Sequence, residues 1–190
     1  MINFDIAPLA GLAHTGWTFT TMRQRPVIVR YGALPDTELL VSMYRQLSAR
    51  TIRLRYGAPR NHVNDEALYT EMSRAVDAGL TNHTSIVVTT GTSAERSAVA
   101  LMQLVPQPHE PTTAEVALVV RDDYQREGLG RRLSRLMRAV ALARGVRAFH
   151  VHALAENQAV VRLIRGLGVP YTVETRRGET TAIIPLQYRQ

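Results

Sequence analysis

Residues 114–132, Ala-Glu-Val-Ala-Leu-Val-Val-Arg-Asp-Asp-Tyr-Gln-Arg-Glu-Gly-Leu-Gly-Arg-Arg, pass from a strand pattern to a helix pattern through one tight turn. Ala114 to Val120 is a short apolar run rich in β-branched residues, as in a strand covered on both faces. Arg121-Asp122-Asp123-Tyr124 is polar and turn-forming. From Leu129 onward the apolar residues take helical spacing: Leu129, Leu133, Leu136, Met137 and Val140. At the junction stands Gln125-Arg126-Glu127-Gly128-Leu129-Gly130, whose two glycines, lacking Cβ, let another group come close to the backbone. A helix start presents unpaired N–H groups and a partial positive charge, which suits an anion. Arg126, Arg131 and Arg132 add guanidinium forks that match phosphate oxygens. The stretch therefore reads as a cradle for a diphosphate. No Gly-Lys-Ser/Thr follows, so it is not a P-loop, and Leu133 occupies the place of the last glycine in the dinucleotide fingerprint.

Working outward, Pro26–Tyr31, Ser85–Thr90 and Ser97–Val105 read as strands before the central one. Three prolines between Pro106 and Pro111 predict a stiff loop rather than strand. Pro35-Asp36 opens a helix whose stripe is Leu39, Leu40, Met43, Tyr44 and Leu47, and Ile52–Tyr56 forms a second short helical piece. Asn64-Asp65 caps a third, carrying Leu68, Met72, Ala75 and Val76 and ending at Gly79. A turn at Gly91-Thr92-Ser93 joins two of the strands. Downstream, Gly145 closes the helix that starts at Leu129, and Ala148–Leu154 is a strand. A helix of Val160, Val161, Leu163, Ile164 and Leu167 then closes at Gly168. A hairpin, Tyr171–Thr175 and Thr180–Leu186, turns at Arg177-Gly178. Residues 1–24 show no sustained period and are expected to form an N-terminal extension, with Trp17 docking part of it; residues 25–190 form one domain.

Val120 followed by Gln125-x-x-Gly128-x-Gly130 resembles the acetyl-CoA signature of the GNAT N-acetyltransferase superfamily. The run Asn157-x-x-Val160-x-x-Leu163-x-x-x-x-Gly168 is similar to that superfamily's second landmark. Leu47-Ser48-x-x-Thr51-Ile52-x-x-Arg55-Tyr56 is similar to a segment of its bacterial protein-lysine acetyltransferase branch. The resemblance covers about residues 25–188. It implies an α/β fold, more strictly α+β: a mixed, mostly antiparallel sheet of about six or seven strands flanked by helices, with a splayed central strand pair. It implies an acetyl-CoA-dependent N-acetyltransferase that moves an acetyl group to a primary amine, a small molecule or a protein lysine, by direct attack in a ternary complex.

By the same resemblance, the backbone of Leu118, Val119 and Val120 pairs with the pantetheine arm, and the Val120 N–H faces the developing oxyanion. Arg126, Glu127, Gly128, Leu129, Gly130 and Arg131 hold the diphosphate, Gln125 is a further cofactor-binding residue, and Asn157 contacts the pantetheine side. Residues 50–80 shape the acceptor site. Glu115 is the expected general base. Period-two alternation puts it on one strand face with Ala117 and Val119, although a solvated glutamate at a strand end would look the same. The position where many superfamily members carry a thiolate-protonating tyrosine holds Ile164. His150 and His152 share a strand face without a third ligand of suitable spacing, so no metal is expected. His109 is an exposed loop histidine or a group at the acceptor site.

Composition narrows the field. All 23 basic residues are arginine and there is no cysteine, which removes disulfides and thiolate chemistry. Residues 1–120 carry equal numbers of arginines and carboxylates; residues 121–190 carry 13 arginines against 6. Such a field steers a polyanion. Coenzyme A is one; nucleic acid is another, but no recognition motif or interleaved aromatics accompany the arginines. No apolar run reaches the roughly 18 residues of a membrane span, and Met1–Thr20 lacks a secretory pattern. The expected setting is cytoplasmic, as a monomer or homodimer. The alternative reading is a non-catalytic acyl-CoA-binding regulatory module.

Overall fold

The computed structural model describes residue 12 and residues 16–60, 63–77, 83–92 and 95–186. Eight strands form one sheet in the order β1-β2-β3-β4-β5-β6-β8-β7. In chain order they are β1 (Trp17–Thr20), β2 (Pro26–Tyr31), β3 (Thr84–Thr90), β4 (Ser97–Gln107), β5 (Glu110–Val120), β6 (Ala148–Leu154), β7 (Thr172–Arg176) and β8 (Glu179–Pro185). Every neighbouring pair is antiparallel except β5 and β6. The helices are α1 (Thr37–Arg45), α2 (Ala49–Tyr56), α3 (Asp65–Val76), α4 (Leu129–Ala143) and α5 (Gln158–Gly166).

The mixed, mostly antiparallel sheet expected from the sequence is present, with an eighth strand at its edge. That strand, β1, lies inside the segment expected to be an extension. Trp17 and Phe19 pack there with ring centroids 5.5 Å apart, and four residues are too few to show a period. The expected ends at Gly79 and Ser93 lie outside the described residues.

Alternation divides the apolar residues into two layers. One core, on the α4 side, collects Val29, Ile86, Val88, Met102, Leu104, Leu133, Met137 and Phe149. The other lies under α1 and α3 and collects Leu40, Met43, Leu68, Met72, Val87, Leu101 and Val119. The sheet is thus covered on both faces, which is why its central strands are nearly continuous apolar runs.

The proline-rich loop is a correction. β4 runs through Pro106 and β5 begins before Pro111, with Pro108-His109 left at the tip of a long hairpin. β3 pairs with β4 no further than Leu104, and β6 pairs with β5 only from Thr113. Each proline therefore sits where no outer strand needs its missing N–H, and a register shift between Pro106 and Gln107 absorbs the distortion.

Candidate functional site

The central feature is an opening in the sheet. β5 pairs with β4 from Ala114 through Val120. On its other side it pairs with β6 only at Thr113, Ala114 and Glu115. Beyond Glu115 the two parallel strands part, and one edge of Val116–Val120 is left without a strand. Peptide groups alternate sides along a strand. The Arg121 N–H points to β4, bonding Val99 O at 2.9 Å, so the N–H groups of Val120 and Leu118 face the opening and that of Val119 faces β4. The site residues named for backbone contacts are thus split: two are presented to the gap, and Val119 contributes its side chain to the opposite layer.

The loop after β5 leads into α4. Gly128 has φ +83°, in the left-handed region that L side chains avoid. The first helical bond runs from Arg132 N to Gly128 O at 3.1 Å, so the amides of Leu129, Gly130 and Arg131 precede the helical ladder. Gly130 answers to packing as well: a Cβ there would stand 3.1 Å from Leu163 on α5. Three side chains of the predicted cradle turn inward instead. Leu129 is in the core. Gln125 Nε2 donates to Val120 O at 3.0 Å and to Thr51 Oγ1 at 3.1 Å. Glu127 is buried and ion-paired with Arg25. These residues shape the loop through their side chains and offer only backbone outward. Arg126 and Arg131 are exposed at its surface, while Arg132 lies over the Phe19 ring.

Two anchors hold this loop, and neither is visible in local sequence spacing. From the β1–β2 turn, Arg25 donates to both oxygens of Glu127 and to Asp123 O, stacks on Tyr124 at 3.4 Å, and Met22 N donates to Glu127 O. Burial alone would raise the Glu127 carboxyl, but bonds from Arg25 and Thr21 outweigh it and hold the group below the usual carboxylate range. From the α2 side, Asp122 accepts from Ser48 N at 2.8 Å, Ser48 Oγ at 2.7 Å and Thr51 Oγ1 at 2.7 Å. Here too burial pushes the carboxyl up, and the Ser48 and Thr51 bonds together bring it below its ordinary value. The Ser48-x-x-Thr51 motif therefore bonds directly to the loop that leads into α4.

Glu115 faces Val105 across β4 and His150 across β6. His150 Nδ1 in turn lies 3.1 Å from Gln107 Nε2. Asn157 caps α5, its Oδ1 accepting from Val160 N at 3.4 Å. On the face that carries Glu115, a cavity of about 280 Å³ opens between α1, α2, α3 and the β4–β5 pair, lined among others by Tyr44, Arg55, Met72, His83, Gln103 and Val119. Sequence reasoning gave Tyr44 only a place on an apolar helix stripe, where its polar tip was the available signal, and gave His83 none.

A model of the acetyltransferase (GNAT) family matches residues 50–169. Acetyltransferase Pat of Mycolicibacterium smegmatis is 34% identical over 76 residues, 40% of this chain and 23% of the length of that relative. Among solved structures, the GNAT domain of S. lividans PAT superposes with a TM-score of 0.76 at 22% identity, covering 91% of this chain and 98% of that one. The structure of yncA from Salmonella typhimurium with its cofactor acetyl-CoA superposes at 0.63 with 15% identity, covering 86% of this chain and 95% of the other.

Proposed function

Because the chain belongs to the GNAT family of acetyltransferases, we propose that it moves an acetyl group from acetyl-CoA directly to a primary amine held beside it. The observation that carries this reading is the parting of β5 from β6 beyond Glu115. That gap leaves a strand edge for an extended amide chain, in the manner of an added strand, and it runs toward the α4 N-terminus. The pantetheine arm carries two amides and ends in the diphosphate, so the edge and the helix start match it in order.

Acetyl-CoA supplies the activated acyl group. The amides of Leu129, Gly130 and Arg131, with Arg126 and Arg131 beside them, hold its diphosphate. The Val120 N–H donates to the oxygen that gains charge as the amine attacks, a device worth about 3–4 kcal/mol in other acyl transfers. Glu115 takes the proton that the amine sheds, directly or through one water. Asn157 flanks the pantetheine. The carbon–sulfur bond breaks as the carbon–nitrogen bond forms. The thiolate leaves without an acid because its conjugate acid has a pKa of only about 8.5, in keeping with Ile164 at the position where many members of the superfamily carry tyrosine.

The acceptor class spans small-molecule amines and protein lysines, the latter suggested by the Ser48/Thr51 segment and the similarity to Pat. The competing account is a module that binds acyl-CoA without turnover. Incubation with acetyl-CoA and a panel of amines, followed by titration of free thiol, separates them. Amine-dependent thiol release is expected; tight binding with no release would leave only the module.

A further inference from the structure

The cavity between the helices and the β4–β5 face has polar capacity that the fold does not use. Tyr44 is 6% exposed, and among the described residues its hydroxyl has no hydrogen-bond partner; neither has Nδ1 of His83. Both residues line the same cavity. A buried polar atom left unpaired is destabilising and uncommon, and two of them around one space point to a ligand that completes them. The charges on the lining have the same bias. The one carboxylate among the described lining residues, Glu71, receives Arg60 on both oxygens, at 3.0 and 2.8 Å. Arg55 gives one N–H to Gln103 Oε1 at 2.9 Å and has others to offer. Arg74 stands exposed at the rim. What remains unspent includes a phenol O–H, a guanidinium and His83 Nδ1, which donates when the ring carries its proton there. A carboxylate accepts all three and donates nothing.

Apart from Gln103 and the Tyr56 hydroxyl, the rest of the lining is apolar, including Met43, Leu47, Met72, Ala75, Leu101 and Val119. The volume, about 280 Å³, lies just below the ~300 Å³ at which pockets for drug-sized ligands begin. Val105, the register partner of Glu115, forms part of the wall. One end of the cavity therefore lies next to the expected base, on the sheet face that carries it.

We infer that the acceptor is a free amino acid or close analogue, in which an apolar body joins a primary amine to a carboxylate. Tyr44, His83 and Arg55 hold the carboxylate, the methionines and Val119 enclose the body, and the amine points to Glu115. This rests on the acetyltransferase reading above. A peptide lysine fits less well, because it brings a cation and a long methylene chain to a lining whose free groups are donors and whose one carboxylate is already paired.

The test uses the full chain with acetyl-CoA and four acceptors: phenylalanine, methionine, phenethylamine as the decarboxylated control, and a lysine peptide. Thiol release should give the amino acids a kcat/KM at least tenfold above phenethylamine and the peptide. Tyr44→Phe should raise KM for phenylalanine and narrow its advantage over phenethylamine about tenfold. Because it removes an unpaired hydroxyl, Tyr44→Phe should not lower Tm. Equal use of phenethylamine, preference for the peptide, or a Tyr44→Phe effect that is the same for every acceptor would overturn the inference. Calorimetric titration with phenylalanine keeps the two readings apart. Binding that Tyr44→Phe weakens, with no thiol release, would retain the carboxylate site and sink the transferase. Release with other amines but no phenylalanine binding would do the reverse.

Discussion

Single side chains in this site divide into those that face the gap and those that hold the backbone in place. Glu115 belongs to the first kind: it sits where β5 leaves β6, on the face that carries the cavity. Glu115→Gln keeps size and polarity and removes the proposed proton acceptor. It should lower kcat by at least about 100-fold, the usual contribution of a general base, with acetyl-CoA affinity unchanged by calorimetry. Full activity would remove Glu115 from the mechanism. Gly128 serves the backbone, and Gly128→Glu would force a side chain into φ +83° and place a carboxylate against the diphosphate. Acetyl-CoA binding should fall below detection. Glu127 holds the loop from inside. Its carboxyl lies below the usual range in the folded chain, so the stability it contributes is present above the ordinary carboxylate pKa and is lost as pH falls through and below that range. Thermal scans from pH 6 to pH 2.5 should show wild-type Tm dropping more steeply than that of Glu127→Gln, which starts lower; parallel curves would deny the linkage.

At the scale of elements, the sequence showed what is local and concealed what is not. The strand, turn and helix around Gly128 were legible because period two gives way to period 3.6 there, and glycine marks the junction. The Arg177-Gly178 hairpin was legible too, since both residues take positive φ, as its turn requires. By contrast, β1 is too short to show a period, and the prolines at 106 and 111 broke no ladder because of strands elsewhere in the chain. Ser48 and Thr51 stood out as a motif, yet the partner that explains them, Asp122, lies far along the sequence. Asp122→Ala would strip three hydrogen bonds from the α2 start. Partly replaced by water, they should leave a loss of about 1–2 kcal/mol, read as a lower midpoint in urea. If α2 positions the loop, acetyl-CoA affinity should fall with it; lost stability with unchanged affinity would make the contact structural only.

For the molecule as a whole, the sheet does more than support two cores: it separates two kinds of surface. The α4 layer begins at the loop that faces the gap, and the charge excess lies wholly in residues 121–190, with 13 arginines against 6 carboxylates. The other layer, under α1 and α3, holds a small cavity whose one carboxylate among the described residues is already paired. A polyanionic co-substrate would thus be drawn from a distance to one side, while the acceptor enters the other through short-range contacts. Long-range attraction weakens once the screening length, about 10 Å at 0.1 M salt, falls below the approach distance. The association rate for acetyl-CoA should accordingly drop on the order of tenfold between 20 and 500 mM salt, while KM for a zwitterionic acceptor stays nearly flat. Stopped-flow binding and steady-state kinetics across that salt range measure both. Arg131→Gln with Arg135→Gln should flatten the salt dependence of association, because both arginines are exposed on the first turns of α4. An association rate indifferent to salt would mean that the arginine-rich third serves some surface other than the coenzyme.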